Sequence, residues 1–388
     1  MKITNIIEET KSISSNIKNA YIDFSKMTIS VVAVCSNVVK NGKPLIGYGF
    51  NSNGRYGQGH LIRERFVPRL LEANTNEILN DEGTNFDPTK MWNVMMKNEK
   101  PGGHGDRAVA AAVIDMAVWD ALAKLEEKPL WRLLSERYNE NQFDEKVLVY
   151  PGGGYYYDGK EIEGLRAEMA QYQLLGYRIL KMKIGGADLK TDLKRIDAVL
   201  DLVGSGQNLA VDANGKFDLD QAIKFGKAIE SLDLFWYEEP GDPLDFALHK
   251  ALAEQYPNPI ATAENLFSRQ DVTNFVLYSG LRPEKDWIQM DPALGYGLSE
   301  YLQTMEAIGT LGWTRRQQIP HGGHQLGLHM AAGLQLGGTE SYPLVFQPFG
   351  GFADDALIEN GYTVPPDTPG IGIESKSKMY NIIKKLGE

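Results

Sequence analysis

The order of apolar and polar positions divides the chain into two regimes. Residues 29–39 are rich in β-branched side chains, Asn41-Gly42 supplies a turn, and an apolar run returns over 45–50. That pattern predicts a small antiparallel sheet. From 58 to 138 the spacing turns helical, most clearly at Val109, Val113, Met116 and Ala117, and Pro129 opens a further short helix. Residues 1–140 therefore read as an α+β domain.

From residue 146 onward, short apolar runs alternate with amphipathic stretches. The runs fall at 147–150, 179–184, 209–214, 234–239, 260–264, 287–291, 318–321 and 338–342. Eight strand-like runs separated by helical stretches predict an α/β fold closed into a barrel, with an open doubly wound sheet as the rival. The expected architecture is a modified (β/α)7β TIM barrel over 141–355 with an N-terminal α+β capping domain over 1–140. Residues 344–370 carry Gly350-Gly351, Pro365-Pro366 and Pro369-Gly370 and no helical period, so the eighth crossover helix is expected to be missing or displaced. The last segment, 356–388, is expected to return to the capping domain.

Composition narrows the partners. A chain of 388 residues with 43% hydrophobic and 23% charged positions is globular and long enough for more than one core. A net charge of −11 argues against nucleic acid as a partner. The longest apolar stretch, 27–39, is interrupted by polar residues and too short to span a bilayer, so no membrane partner is expected. The one cysteine, Cys35, forms no intrachain disulfide, and Met1-Lys2-Ile3-Thr4 leads into polar residues rather than an apolar signal core. Those features predict a cytoplasmic protein, and a homo-oligomer is compatible with such a barrel.

The chemistry shows in where polar residues interrupt the apolar runs. Asp212, Glu238, Glu264, Asp291, His321 and Glu340 each fall near the C-terminal end of a predicted strand. Their spacing approximates one strand-plus-helix unit, about 30 residues. Asp212, Glu238 and Glu264 on successive strands would converge at one rim, and three hard oxygen ligands there suit Mg²⁺ better than zinc. Lys181 and Lys183 in ILKMKIGG share inward parity. Two adjacent ammonium groups are expected to depress each other's pKa, leaving Lys183 a neutral base. His321 stands before Gly322-Gly323, where a ligand's approach is open, and Asp291 one strand earlier is placed to fix its tautomer. His324 and His329 read as helix-face packing.

Taken in order, KMK, Asp212, Glu238, Glu264, Asp291 and His321 resemble the enolase superfamily in its mandelate racemase subgroup. The helix AVIDMAVWDALAKLEEKPLWRLL at 112–134 and PGIGIE at 369–374 extend the resemblance to nearly the whole chain. Within that subgroup, YIDFSKMT (21–28), GFNSNGRYGQG (49–59), NEKPGGHGDR (98–107), GGYYY (153–157) and LFWYEE (234–239) resemble the D-tartrate dehydratases.

The resemblance implies a hydro-lyase acting on a small hydroxy-dicarboxylic acid, converting D-tartrate to oxaloacetate and water. Lys183 would remove the C2 proton, Mg²⁺ stabilise the enediolate, and His321 assist loss of the C3 hydroxyl, with Lys181 as electrostatic partner of the bound carboxylate. It also implies substrate contacts from Asn19, Asn53, Lys100, Tyr155, Asn214, Glu340, Ser341 and Tyr342, with the choice among Tyr155, Tyr156 and Tyr157 open. Two alternatives stand beside it. The same scaffold serves a 2-hydroxy acid racemase or epimerase or another acid-sugar dehydratase, and the other alternative is a non-catalytic metal- or acid-binding barrel.

Overall fold

The computed structural model describes residues 1–13, 15–40, 42–51, 57–157 and 161–387. Strands β1 (Ile3–Ile13), β2 (Met27–Lys40) and β3 (Lys43–Phe50) form the predicted antiparallel sheet in the order β1-β2-β3. Gly42 turns the β2–β3 hairpin with φ +75°; Asn41 lies outside the described residues. Side chains alternate across β2, so Val32 and Val34 face one cluster while Val31, Ala33 and Cys35 face another. Helix Asp106–Leu125 is buried almost throughout, which its apolar circumference requires. It lies directly on β3, where a side chain at Gly47 or Gly49 would collide with the carbonyls of Ala117 and Val113.

The second region is a barrel of parallel strands: β4 (Val147–Gly153), β5 (Leu180–Lys183), β6 (Leu209–Asp212), β7 (Trp236–Glu238), β8 (Ile260–Thr262), β9 (Trp287–Ile288) and β10 (Thr339–Ser341). They run in the order β10-β4-β5-β6-β7-β8-β9. The run at 318–321 forms no regular ladder, because Pro320 has no N–H to contribute. It still closes the ring: Ile319 N donates to Ile288 O at 3.0 Å on one side, and Gly337 N and Glu340 N donate to Gln318 O and Pro320 O on the other. Tyr150, Ala210, Trp236, Ala261 and Ile319 fill the interior as one apolar cluster.

After β10 the chain forms no helix before β11 (Tyr362–Thr363), a short strand antiparallel to β4 that the aperiodic sequence of 344–370 does not announce. The closing helix, Ser377–Ile383, sets the Tyr380 ring 6.0 Å from that of Tyr48 in β3. Ile371 N donates to Asp120 Oδ1 at 2.8 Å, tying the same segment to the long cap helix. Among the described residues, no helix is long and apolar enough to cross a membrane.

Candidate active site

Strand register brings the charged residues together. Lys183 stands opposite Asp212 and Asp212 opposite Glu238 in adjacent parallel strands, so period-two alternation turns all three into the barrel mouth. Glu264 follows two residues after β8. Lys183 Nζ donates to Asp212 Oδ2, and Lys181 Nζ lies 2.5 Å from Glu238 Oε1, 2.8 Å from Glu340 Oε1 and 3.5 Å from Asp212 Oδ2. Lys181, Asp212, Glu238 and Glu340 are fully buried.

The electrostatics differ from the sequence expectation in one respect. Burial disfavours the charged form of both lysines, yet the facing carboxylates outweigh it and raise both above the usual ammonium range. Asp212 chiefly raises Lys183, and Glu238 and Glu340 raise Lys181. Mutual repulsion between the two ammonium groups is a smaller effect than the pull of the carboxylates each one touches. Asp212 is lowered to about 2: the two lysines overcome its burial. Glu238 is pushed up to about 8 by burial and by Asp212, since it shares Lys181 with two other carboxylates.

Charge counting defines what this cluster accommodates. With every carboxylate ionised, Asp212, Glu238, Glu264 and Glu340 against Lys181 and Lys183 leave two net negative charges, which one divalent cation would neutralise; without it, Glu238 keeps its proton up to about pH 8. One carboxylate oxygen from each of Asp212, Glu238 and Glu264 lies within 4.8 Å of the others. Three carboxylate oxygens this near one another can engage a single cation together. Glu264 Oε2 is buried with His321 Nε2 3.2 Å away but no well-aligned hydrogen bond, and the all-oxygen donor set suits a hard cation.

Across the mouth, His321 Nδ1 lies 2.8 Å from Asp291 Oδ2, while Nε2 lies 3.2 Å from Glu264 Oε2 and from the Tyr342 hydroxyl. Burial pushes the imidazole toward the neutral form, but Glu264, Glu340 and Asp291 prevail and raise it to about 10. His324 is not simple helix-face packing: it precedes helix Gln325–Leu334, is buried, and holds Nε2 4.0 Å from Asp291 Oδ1. His329 matches the packing expectation, accepting from Trp131 N on Nδ1 at 3.1 Å with Nε2 2.9 Å from Ile371 O.

Lys183 and His321 line one small cavity of ≈ 60 Å³. Asn19, Tyr155, Asn214, Glu264 and Tyr342 share its wall. Tyr155 rather than Tyr156 or Tyr157 faces it, with Lys183 Nζ 5.3 Å from the ring centroid. Asn19 Oδ1 accepts from Tyr21 N and Ile22 N, shaping the turn that presents this segment. Glu340 is buried behind the cavity between Lys181 and His321.

Two expected contacts fall elsewhere, and a third is not described. Ser341 points outward and pairs with the Tyr177 hydroxyl at 2.7 Å, because alternation along β10 turns it away once Glu340 points in. Lys100 is exposed and lines a wider groove of ≈ 890 Å³ between residues 92–107 and 265–300. Asn53 lies outside the described residues. Two polar groups of the cavity escaped the sequence reading. Glu239 enters it because its φ of +40° breaks strand alternation, and Asn265 donates to Glu239 Oε1 at 2.9 Å and lines both cavity and groove.

A barrel whose successive strand ends carry a carboxylate triad, under an α+β cap, defines the class of this protein. Residues 164–379 match the enolase C-terminal domain-like family, and residues 46–135 match the mandelate racemase / muconate lactonizing enzyme N-terminal domain. The chain belongs to the mandelate racemase/muconate lactonizing enzyme family of the enolase superfamily. It is 30% identical over 365 residues to an arabinonate dehydratase of Saccharolobus solfataricus, covering 90% of each chain. It is 27% identical to the L-talarate/galactarate dehydratase of Salmonella typhimurium over 79% of this chain and 72% of that one. In fold it resembles a racemase of Streptomyces coelicolor solved with bound magnesium, with TM-score 0.77 and 22% identity over 97% of this chain and 99% of that one.

Proposed function

We propose that this chain is a Mg²⁺-dependent dehydratase of a small hydroxy-dicarboxylic acid, with D-tartrate, giving oxaloacetate and water, as the first candidate. One observation carries the reading: Lys183 and His321 line the same small cavity beside the carboxylate triad. Asp212, Glu238 and Glu264 would hold the cation, which when bound stabilises negative charge on the substrate carboxylate.

The residues then divide the proton traffic. The neutral amine of Lys183 takes the C2 proton. Protonated His321, oriented by Asp291, gives a proton to the C3 hydroxyl; the C3–O bond breaks and water leaves. The resulting enol takes a proton at C3 and becomes the keto acid. Lys181 supplies fixed positive charge beside Glu238 and Glu340. Tyr342 holds His321 Nε2 from the cavity side.

The dehydratases among the relatives support the reaction class, and the ≈ 60 Å³ cavity supports a short acid. A second reading, a longer sugar acid, is favoured by Asn265, which joins the cavity to the ≈ 890 Å³ groove. The test is a panel of tartrate isomers, galactarate and arabinonate incubated with Mg²⁺, with keto acid measured. Oxaloacetate from D-tartrate supports the proposal, and turnover of longer acids alone selects the second reading. Solvent deuterium in recovered substrate without keto acid indicates a racemase, and cation binding without turnover of any acid a binding protein.

A further inference from the structure

A buried ionic network behind Lys183 takes no part in the chemistry above. Strand β4 ends at Gly153, and β5 ends at Lys183, whose carbonyl extends past the last β4–β5 rung at Gly153 and Met182. Arg195, from helix Leu189–Val203, completes the pairing with its side chain. One guanidinium nitrogen donates to Lys183 O at 3.0 Å and the other to Gly154 O at 2.7 Å. The planar fork thus staples the two strand ends that carry Lys183 and Tyr155.

Asp192, fully buried one helical turn earlier, fixes the staple. Its Oδ1 accepts from Arg195 at 3.1 Å and from the Tyr156 hydroxyl at 2.7 Å, and its Oδ2 accepts from Gly185 N at 2.7 Å. Gly185 makes the turn after Lys183 at φ +84°, so the carboxylate also sets the path by which the chain leaves the strand. The Tyr156 hydroxyl accepts from Gly186 N at 3.0 Å, and its ring lies 4.0 Å from the Arg195 guanidinium carbon. Tyr156 N donates to Lys18 O at 2.9 Å, which pins the cap segment immediately before Asn19.

We infer that Arg195, held by Asp192 and Tyr156, is a positioning residue for Lys183, and that Tyr156 couples the same network to the cap segment that presents Asn19. The inference rests on the reading of Lys183 as the base. Displacing a reacting group by about 1 Å costs on the order of 100-fold in rate. Arg195→Met should therefore lower kcat by on the order of 100-fold with little change in KM. Arg195→Lys, which keeps the charge but has one donor nitrogen in place of the two-nitrogen fork, should recover roughly tenfold of that loss. Tyr156→Phe releases the Asp192 and Gly186 contacts and should raise KM more than it lowers kcat.

The assay uses the full chain with Mg²⁺ and the acid that wild type turns over fastest in the panel. Substrate α-proton exchange in deuterium oxide, thermal melting and Mg²⁺ titration are recorded beside kcat and KM. Reduced exchange with unchanged Mg²⁺ affinity and a folded protein is the expected result. Should Arg195→Met fail to fold, Arg195→Lys and Tyr156→Phe carry the test. Lower melting temperatures with wild-type kcat, KM and exchange in both conservative variants overturn the inference and leave the base assignment intact. Exchange surviving in Lys183→Ala removes the base assignment and this inference with it.

Discussion

Asp291 Oδ2 lies 2.8 Å from His321 Nδ1, which leaves Nε2 as the nitrogen facing the cavity. Both groups are buried, and the His321 contact helps hold Asp291 well below the usual carboxylate range against its burial. In Asp291→Asn the imidazolium loses a charged partner, so its pKa falls. An acid that must be protonated then stops working at lower pH. The basic limb of the kcat profile should move down, with a loss of about one to two orders of magnitude at the optimum. A pH–rate profile of the variant checks both.

Cation binding should release protons. Without the cation, Asp212 together with Tyr155 and Glu264 outweighs burial and keeps Lys183 above the usual ammonium range. A divalent cation engaging Asp212 withdraws that stabilisation and adds positive charge nearby, so the amine gives up its proton more readily. Mg²⁺ titration calorimetry in two buffers of different ionisation enthalpy should show net proton release, reduced in Lys183→Met. Proton uptake would contradict the electrostatic account.

His329 makes stability depend on pH in a defined direction. Burial lowers its pKa from 6.5 to about 4, outweighing the bond to Ile371 O. Between those values the unfolded chain binds a proton that the native state does not, so stability falls as pH drops through 6.5 toward 4. At pH 5 the loss is on the order of 2 kcal/mol. Thermal melting at pH 7 and pH 5 should show the drop, and His329→Gln should flatten it.

Ser341 and Tyr342 are neighbours with opposite consequences. Ser341→Ala removes a buried partner of Tyr177 outside the cavity, so it should cost about 1 kcal/mol of stability and leave kinetics unchanged. Tyr342→Phe removes a hydroxyl 3.2 Å from His321 Nε2, so it should lower kcat by roughly tenfold with little change in melting temperature. Parallel melting and steady-state measurements separate the two.

The features legible in the sequence are those that depend on strand period and register. Lys183, Asp212 and Glu238 converge because alternation and parallel pairing act locally and regularly. The same rule places Ser341 outside, once Glu340 is taken as inward. Glu239 was not legible, because its left-handed backbone conformation overrides alternation at the strand end. The raised lysine pKa values were hidden for another reason: they depend on which carboxylates meet each ammonium across strands, whereas the KMK spacing reveals only the repulsion between them. Lys100 shows the same limit, since loop residues carry no period from which their direction follows.

The division of labour between Lys183 and His321 is tested most directly by proton NMR of D-tartrate with Mg²⁺ in deuterium oxide, comparing wild type, His321→Asn and Lys183→Ala. Wild type should yield oxaloacetate. His321→Asn should exchange the C2 proton for deuterium while forming no keto acid, and Lys183→Ala should do neither. Undiminished C2 exchange in Lys183→Ala, or undiminished oxaloacetate formation in His321→Asn, would contradict the account.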